Sequence, residues 1–180
     1  EKTEEYIIDE NCSLSHADTL SSYNEKKIKE IKKRLSGRVK YISVDEKKLN
    51  ALNDLAKKYP NMQEVHNYLM SQIELSKFKI HGELTFTPIL LIGNAGCGKT
   101  SYALELIKIL QGKPGIKIDL GNSVANFTCT GSDPSYKDAK NGLIIESMFA
   151  GNDNTPIKNP IIHFDELDKI HQDEKYSIET

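Results

Sequence analysis

The sequence predicts an α/β fold: a parallel sheet flanked by helices, incomplete, and preceded by a mainly helical N-terminal extension. Three observations carry this expectation. A continuous apolar run, Phe86–Ile92, leads straight into the glycine-rich stretch Gly93–Thr100 and then into an amphipathic segment, Ser101–Gln111. A second apolar run, Pro160–Phe164, ends in two adjacent carboxylates, Asp165 and Glu166. Between them, a short strand pattern at Ile116–Leu120 and a helical one at Gly142–Ala150 give the order β-α-β-α-β.

Residues 1–23 are polar apart from Tyr6-Ile7-Ile8 and read as a loosely ordered arm. Residues 24–35 place Ile28, Ile31 and Leu35 at helical spacing in a charged background, and Ser36-Gly37 ends that helix. Val39–Val44 alternates like a short strand. Asp45 has the side chain to cap a helix running to about Lys58, with Leu49, Leu52, Leu55 and Ala56 on one face. Tyr59-Pro60-Asn61 breaks the chain. A further helix carries Met62, Val65, Leu69, Met70 and Ile73 on its apolar stripe. After His81-Gly82 the texture changes, and Phe86–Ile92 has the composition of a strand buried on both faces of a parallel sheet. Ser101–Gln111 turns Leu104, Ile107 and Leu110 inward. Small and polar residues fill 121–140 and 151–159. The expected organisation is therefore an extension over residues 1–59 and a nucleotide-binding part over 60–180, with the transition within 60–84.

The 180 residues are 38% hydrophobic and 28% charged, with a net charge of −2. That balance gives no overall electrostatic case for nucleic acid or an anionic membrane. No apolar run approaches the length that spans a bilayer. The first residues lack the apolar core of a signal peptide and begin without Met, as a fragment or processed product would. The three cysteines, Cys12, Cys97 and Cys129, are widely spaced and form neither a zinc pattern nor a disulfide framework, which suits a reducing, cytoplasmic compartment.

Gly93-Asn94-Ala95-Gly96-Cys97-Gly98-Lys99-Thr100 fits the phosphate-loop pattern G-x-x-x-x-G-K-[ST] without a mismatch. A loop that wraps a phosphate closely needs bare backbone, hence Gly93, Gly96 and Gly98. The helix that begins there, through Ser101, aims its free N–H groups at the same anion. Lys99 brings a point charge to the β- and γ-phosphates, and the Thr100 hydroxyl is a ligand for Mg²⁺. ATP and Mg²⁺ are thus the expected cofactors. Cys97 sits at a freely variable position, where any small residue fits. A thiol of lowered pKa there, whose modification blocks ATP, is the sharper alternative.

Ile161-Ile162-His163-Phe164-Asp165-Glu166 is an apolar strand ending in acids, the Walker B pattern. Asp165 is the second expected Mg²⁺ ligand, and Glu166 the residue that polarises the attacking water. His163 shares a side of the strand with Asp165 and is expected to be a satisfied core histidine.

At these two motifs the sequence resembles the AAA+ ATPases of the P-loop NTPase fold, and within them the Lon protease ATPase module and its bacterial Lon-like relatives. The likeness runs from about Pro60 to Lys169. It includes Gly131-Ser-Asp-Pro-Ser-Tyr136-Lys-Asp-Ala-Lys-Asn-Gly142, which has the glycine-to-glycine spacing of a Lon-like pore loop. The resemblance implies that Tyr136 is the aromatic residue gripping a threaded polypeptide, that the protein assembles into a ring, a hexamer by family habit, and that the substrate is polypeptide. Lys137 stands where an apolar residue usually follows that tyrosine. Phe164-Asp-Glu-Leu-Asp-Lys169 matches the ending of many Walker B motifs of the family.

Residues 1–59 carry no motif that the sequence allows to be named. The family's sensor residues, arginine finger and helical lid lie later in sequence than these segments. Its sheet places a fourth strand between the phosphate-loop and Walker B strands that this sequence does not show, and the chain has no arginine after Arg38. The expectation is that this segment alone binds nucleotide weakly and hydrolyses it slowly. Two other readings stand beside polypeptide remodelling. One is an ATPase acting on nucleic acid, in defence or replication, because Lys26–Lys40 holds eight basic residues. The other is an ATP-dependent scaffold or switch.

Overall fold

Local sequence signals build the helices that carry the site. In the computed structural model, residues 3–5, 29, 33, 38–120, 129, 131, 142–149 and 155–169 are described. Strand β1 (Thr3–Glu5) pairs antiparallel with β2 (Arg38–Lys40), with Thr3 opposite Lys40. This pairing is an addition to the loose arm expected of the first residues. The helix expected over 24–35 and the basic stretch fall mostly outside the described residues. Lys29 and Lys33 are helical and exposed. Tyr136 also lies outside them.

Helix α1 spans Glu46–Lys58, and the Asp45 carboxylate accepts from the Lys48 N–H at 2.8 Å, as its position before the helix predicts. Glu46 in the first turn, with Lys57 and Lys58 in the last, complements the helix dipole. Pro60 ends the helix, because it disfavours helical backbone at Tyr59, and opens a 3₁₀ turn, Pro60–Met62. Helix α2 (Gln63–Ser76) follows, then α3 (Lys99–Gln111), which lies between left-handed Gly98 and Gly112. Strand β3 (Lys117–Asp119), the short helix α4 (Leu143–Met148) and strand β4 (His163–Asp165) complete the described part, with a 3₁₀ turn at Leu167–Lys169.

The core gathers Leu52 and Leu55 of α1, Leu69 and Ile73 of α2, and Tyr102, Leu106 and Leu110 of α3, all under 8% exposed. Each such leucine contributes about 1.5–3 kcal/mol when buried. The helix before the phosphate loop and the helix after it are therefore packed in one cluster. Ile42, Leu84 and Ile157 join them from the loops.

β3 and β4 run parallel, with Lys117 opposite His163, Ile118 opposite Phe164 and Asp119 opposite Asp165. Side chains alternate across a sheet. One face therefore carries Lys117, Asp119, His163 and Asp165, and the other carries Ile118 and Phe164.

Phe86–Ile92 departs from the sequence expectation of a strand buried on both faces. It has no strand partner among the described residues. Phe86, Ile89 and Leu91 pack against the core, but Leu90 is 65% and Ile92 86% exposed. Pro88 lacks a ladder donor, and the Thr87 N–H is taken by the Tyr68 hydroxyl at 3.1 Å. The apolar run specifies burial; a sheet needs a lateral neighbour as well.

Asn159 staples three segments. Its Oδ1 accepts from Ile42 N at 2.8 Å and its Nδ2 donates to Leu84 O at 2.8 Å, while Leu84 N donates to Ile42 O at 2.8 Å. Asn159→Ala leaves a part-buried N–H and a carbonyl unmatched. It is expected to lower stability by about 1–3 kcal/mol in a urea titration; a change within about 0.5 kcal/mol, as at a typical surface position, would contradict the staple.

Candidate functional site

The site forms where α3 begins and β4 ends. Gly96 at φ +78° and Gly98 at φ +91° take left-handed backbone that other residues adopt with strain. They turn residues 93–98 back on themselves, so that α3 starts at Lys99. A Cβ at Gly96 would meet nothing within 4 Å, so the mouth of the loop is open. Gly93, Asn94, Ala95, Gly96 and Ser101 are exposed, and Cys97, Gly98, Lys99 and Thr100 are half-buried.

Lys99 folds over the loop it belongs to. Its Nζ donates to Gly93 O at 2.7 Å and Asn94 O at 2.8 Å, and lies 3.7 Å from Cys97 Sγ. The ammonium is thus held by two carbonyls of its own loop.

Thr100, on the first turn of α3, donates its hydroxyl to Asp165 Oδ2 at 3.1 Å. The same oxygen receives Lys117 Nζ at 2.8 Å, and Asp165 Oδ1 accepts from Glu166 N at 3.0 Å. The Lys117 ammonium, above all, holds the Asp165 carboxyl below its ordinary range, and Asp165 in turn raises Lys117. Two oxygens at adjacent corners of an octahedral Mg²⁺ site stand about 3.0 Å apart, because each lies about 2.1 Å from the ion. The Thr100–Asp165 spacing of 3.1 Å fits that edge, and both are the hard oxygen donors that Mg²⁺ takes. No group of three or more His, Cys, Asp or Glu side chains forms a metal cage among the described residues. A Mg²⁺ ion keeps water and substrate phosphate as its remaining ligands and requires no such cage.

Glu166 has φ +56°, the only non-glycine with positive φ among the described residues. Such backbone costs a side-chain-bearing residue about 1–2 kcal/mol. Its Oε1 accepts from Lys169 Nζ at 2.8 Å, which holds the carboxylate towards the following turn. His163 is half-buried, and burial pushes its imidazole below the ordinary value. Its Nδ1 is buried with no hydrogen-bond partner among the described residues, in contrast to the satisfied histidine expected.

Sequence reasoning brought Lys99, Thr100, Asp165 and Glu166 to this place but missed three residues around it. Tyr59 and Asn61, read only as a chain break, brace the loop from the α1–α2 elbow. Asn61 Nδ2 donates to Cys97 O at 2.9 Å, and the Tyr59 ring lies 3.3 Å from where a Cβ on Gly98 would stand. Tyr59 is fixed edge-on to Tyr102 and by its hydroxyl to Glu105 Oε1 at 2.8 Å. Lys58 meets the same carboxylate at 2.6 Å. The third is Lys117, which the register of β3 with β4 brings to the acidic strand.

A family model described as "ATPase family associated with various cellular activities (AAA)" matches residues 89–179. The chain is 30% identical over 169 residues to the Lon protease of Mycoplasmopsis agalactiae, which covers 92% of this chain and 16% of that protein. It is 36% identical over 87 residues to the Lon protease of Lachnoclostridium phytofermentans, which covers 48% of this chain and 10% of that protein. The chain thus spans less than a fifth of the length of these curated relatives. No solved structure matches it.

Gly98→Ala puts a methyl group on left-handed backbone against Tyr59. It is expected to destabilise the fold by at least about 1 kcal/mol in denaturant. Unchanged stability would mean that the elbow does not press on the loop.

Proposed function

Because this chain belongs to the ATPase family associated with various cellular activities, with its P-loop NTPase fold, we propose that it binds Mg²⁺·ATP at residues 93–101 and hydrolyses it to drive the remodelling of a polypeptide. Residues 60–180 form the first part of the ATPase domain, and residues 1–59 precede it as an extension. The observation that carries this reading is the 3.1 Å contact between Thr100 Oγ1 and Asp165 Oδ2, which joins the phosphate loop to the acidic strand.

The roles follow from the chemistry of each group. The backbone N–H groups of Gly93, Asn94, Ala95, Gly96, Cys97, Gly98, Lys99, Thr100 and Ser101, in the loop and first turn of α3, would hold the phosphates. Lys99 exchanges the carbonyls of Gly93 and Asn94 for the β- and γ-phosphate oxygens. Thr100 and Asp165 hold Mg²⁺, which, when bound, neutralises charge on the phosphates. Glu166, once released from Lys169, accepts a proton from the attacking water or orients it. Residues 39–180 contain no arginine, so an arginine that adds to Lys99 in stabilising charge on the γ-phosphate would come from outside this stretch. Ring assembly, a polypeptide substrate and the gripping role of Tyr136 rest on the likeness to Lon proteases.

Two substitutions in the intact protein test this. Lys99→Ala should abolish binding of a fluorescent ATP analogue. Glu166→Gln should retain that binding and lower phosphate release by about a hundredfold or more. Turnover unaffected by Glu166→Gln would remove the catalytic assignment, and nucleotide binding unaffected by Lys99→Ala would remove the site.

A further inference from the structure

The proposed mechanism gives no role to Lys117, whose ammonium is bonded to the expected metal ligand. Lys117 Nζ lies 2.8 Å from Asp165 Oδ2, the oxygen that also accepts the Thr100 hydroxyl. A carboxylate oxygen has two lone pairs, and both are engaged here. The other oxygen, Oδ1, accepts the Glu166 N–H. Register fixes this arrangement, since Lys117 stands opposite His163 in the parallel pair, on the same face as Asp165. The Lys117 side chain is 40% exposed and that of Asp165 21%, so the ammonium approaches from the solvent side and can withdraw to it. The lysine stem is flexible and its head a compact point charge.

We infer that Lys117 is a positioning residue for the metal, a resident cation that orients and neutralises Asp165 until Mg²⁺ takes its place. The inference rests on the ATP-binding reading above and deepens it. An ammonium and Mg²⁺ make the same demand on Oδ2, so Lys117 would withdraw from Asp165 when the metal is bound. Without Mg²⁺, the ammonium keeps Asp165 from presenting a bare negative charge to the phosphates. Removing it exposes that charge, and the nucleotide then depends more heavily on the metal.

The test compares the affinity of the intact protein for a fluorescent ATP analogue in EDTA and in saturating Mg²⁺, and records the free Mg²⁺ giving half-maximal binding. In Lys117→Met, the ratio of the EDTA and Mg²⁺ dissociation constants should rise about tenfold or more, the scale of one hydrogen bond to a charged group. Half-maximal binding should need correspondingly less Mg²⁺. Lys117→Arg, which keeps a cation, should behave like the wild type. Lys117→Gln serves the same purpose as Lys117→Met should the latter not fold. A structural role alone would weaken binding equally in both conditions; an unchanged ratio in Lys117→Met or Lys117→Gln overturns the inference while leaving the ATP site intact. A wild-type protein that binds no nucleotide in either condition takes down the ATP-binding reading itself, and this inference with it.

Discussion

The hydrogen bond from Thr100 to Asp165 joins residues 65 positions apart and fixes the start of α3 against the end of β4. Each partner is positioned by its own framework. Tyr102, Leu106 and Leu110 bury one side of α3 in the helical cluster, which sets where the first turn points. Parallel pairing with β3 sets where β4 delivers its acid. The frameworks meet again at the far end of α3, where Gln111 Oε1 accepts from Ile161 N at 2.6 Å, just before β4. Helix and strand are thus tied at both ends, and the spacing of a hydroxyl and a carboxylate becomes a property of the core.

The phosphate loop is also held from its outer side. Tyr59 and Asn61 lie in the elbow between α1 and α2, and both reach the loop. Glu105 on α3 collects Lys58 and the Tyr59 hydroxyl, which pins the elbow to the helix that the loop begins. Residues before position 60 therefore share a core with α3, and Tyr59 also contacts the glycine-rich loop directly. A displacement of α1 would be felt at Gly98 and Cys97, which gives the extension a physical route to the site.

Local rules were legible in the sequence wherever a residue acts on its own neighbours. Asp45 capping α1 and Pro60 ending it both follow from backbone chemistry within a few positions. The pattern around Lys99 and the paired acids at Asp165 marked the candidate site, because a phosphate cradle demands glycine and a cation in fixed order. Tertiary relations were less legible. Phe86–Ile92 has the composition of a buried strand, but a composition does not name the strand beside it, and Leu90 and Ile92 remain exposed. Lys117 gave no sign of itself, since its meaning comes from a register with His163 that only folding creates. The same holds for Glu166: its identity suggested chemistry, whereas its left-handed backbone and its tether to Lys169 are products of the turn that follows.

The most direct test of the central claim is a structure of the protein with Mg²⁺ and a non-hydrolysable ATP analogue. The ion should lie about 2.1 Å from Thr100 Oγ1, with Asp165 bound to it or to one of its waters. Lys99 should have moved from the carbonyls of Gly93 and Asn94 onto the phosphates. A nucleotide seated elsewhere, or Lys99 still bonded to its own loop beside bound phosphate, would contradict it.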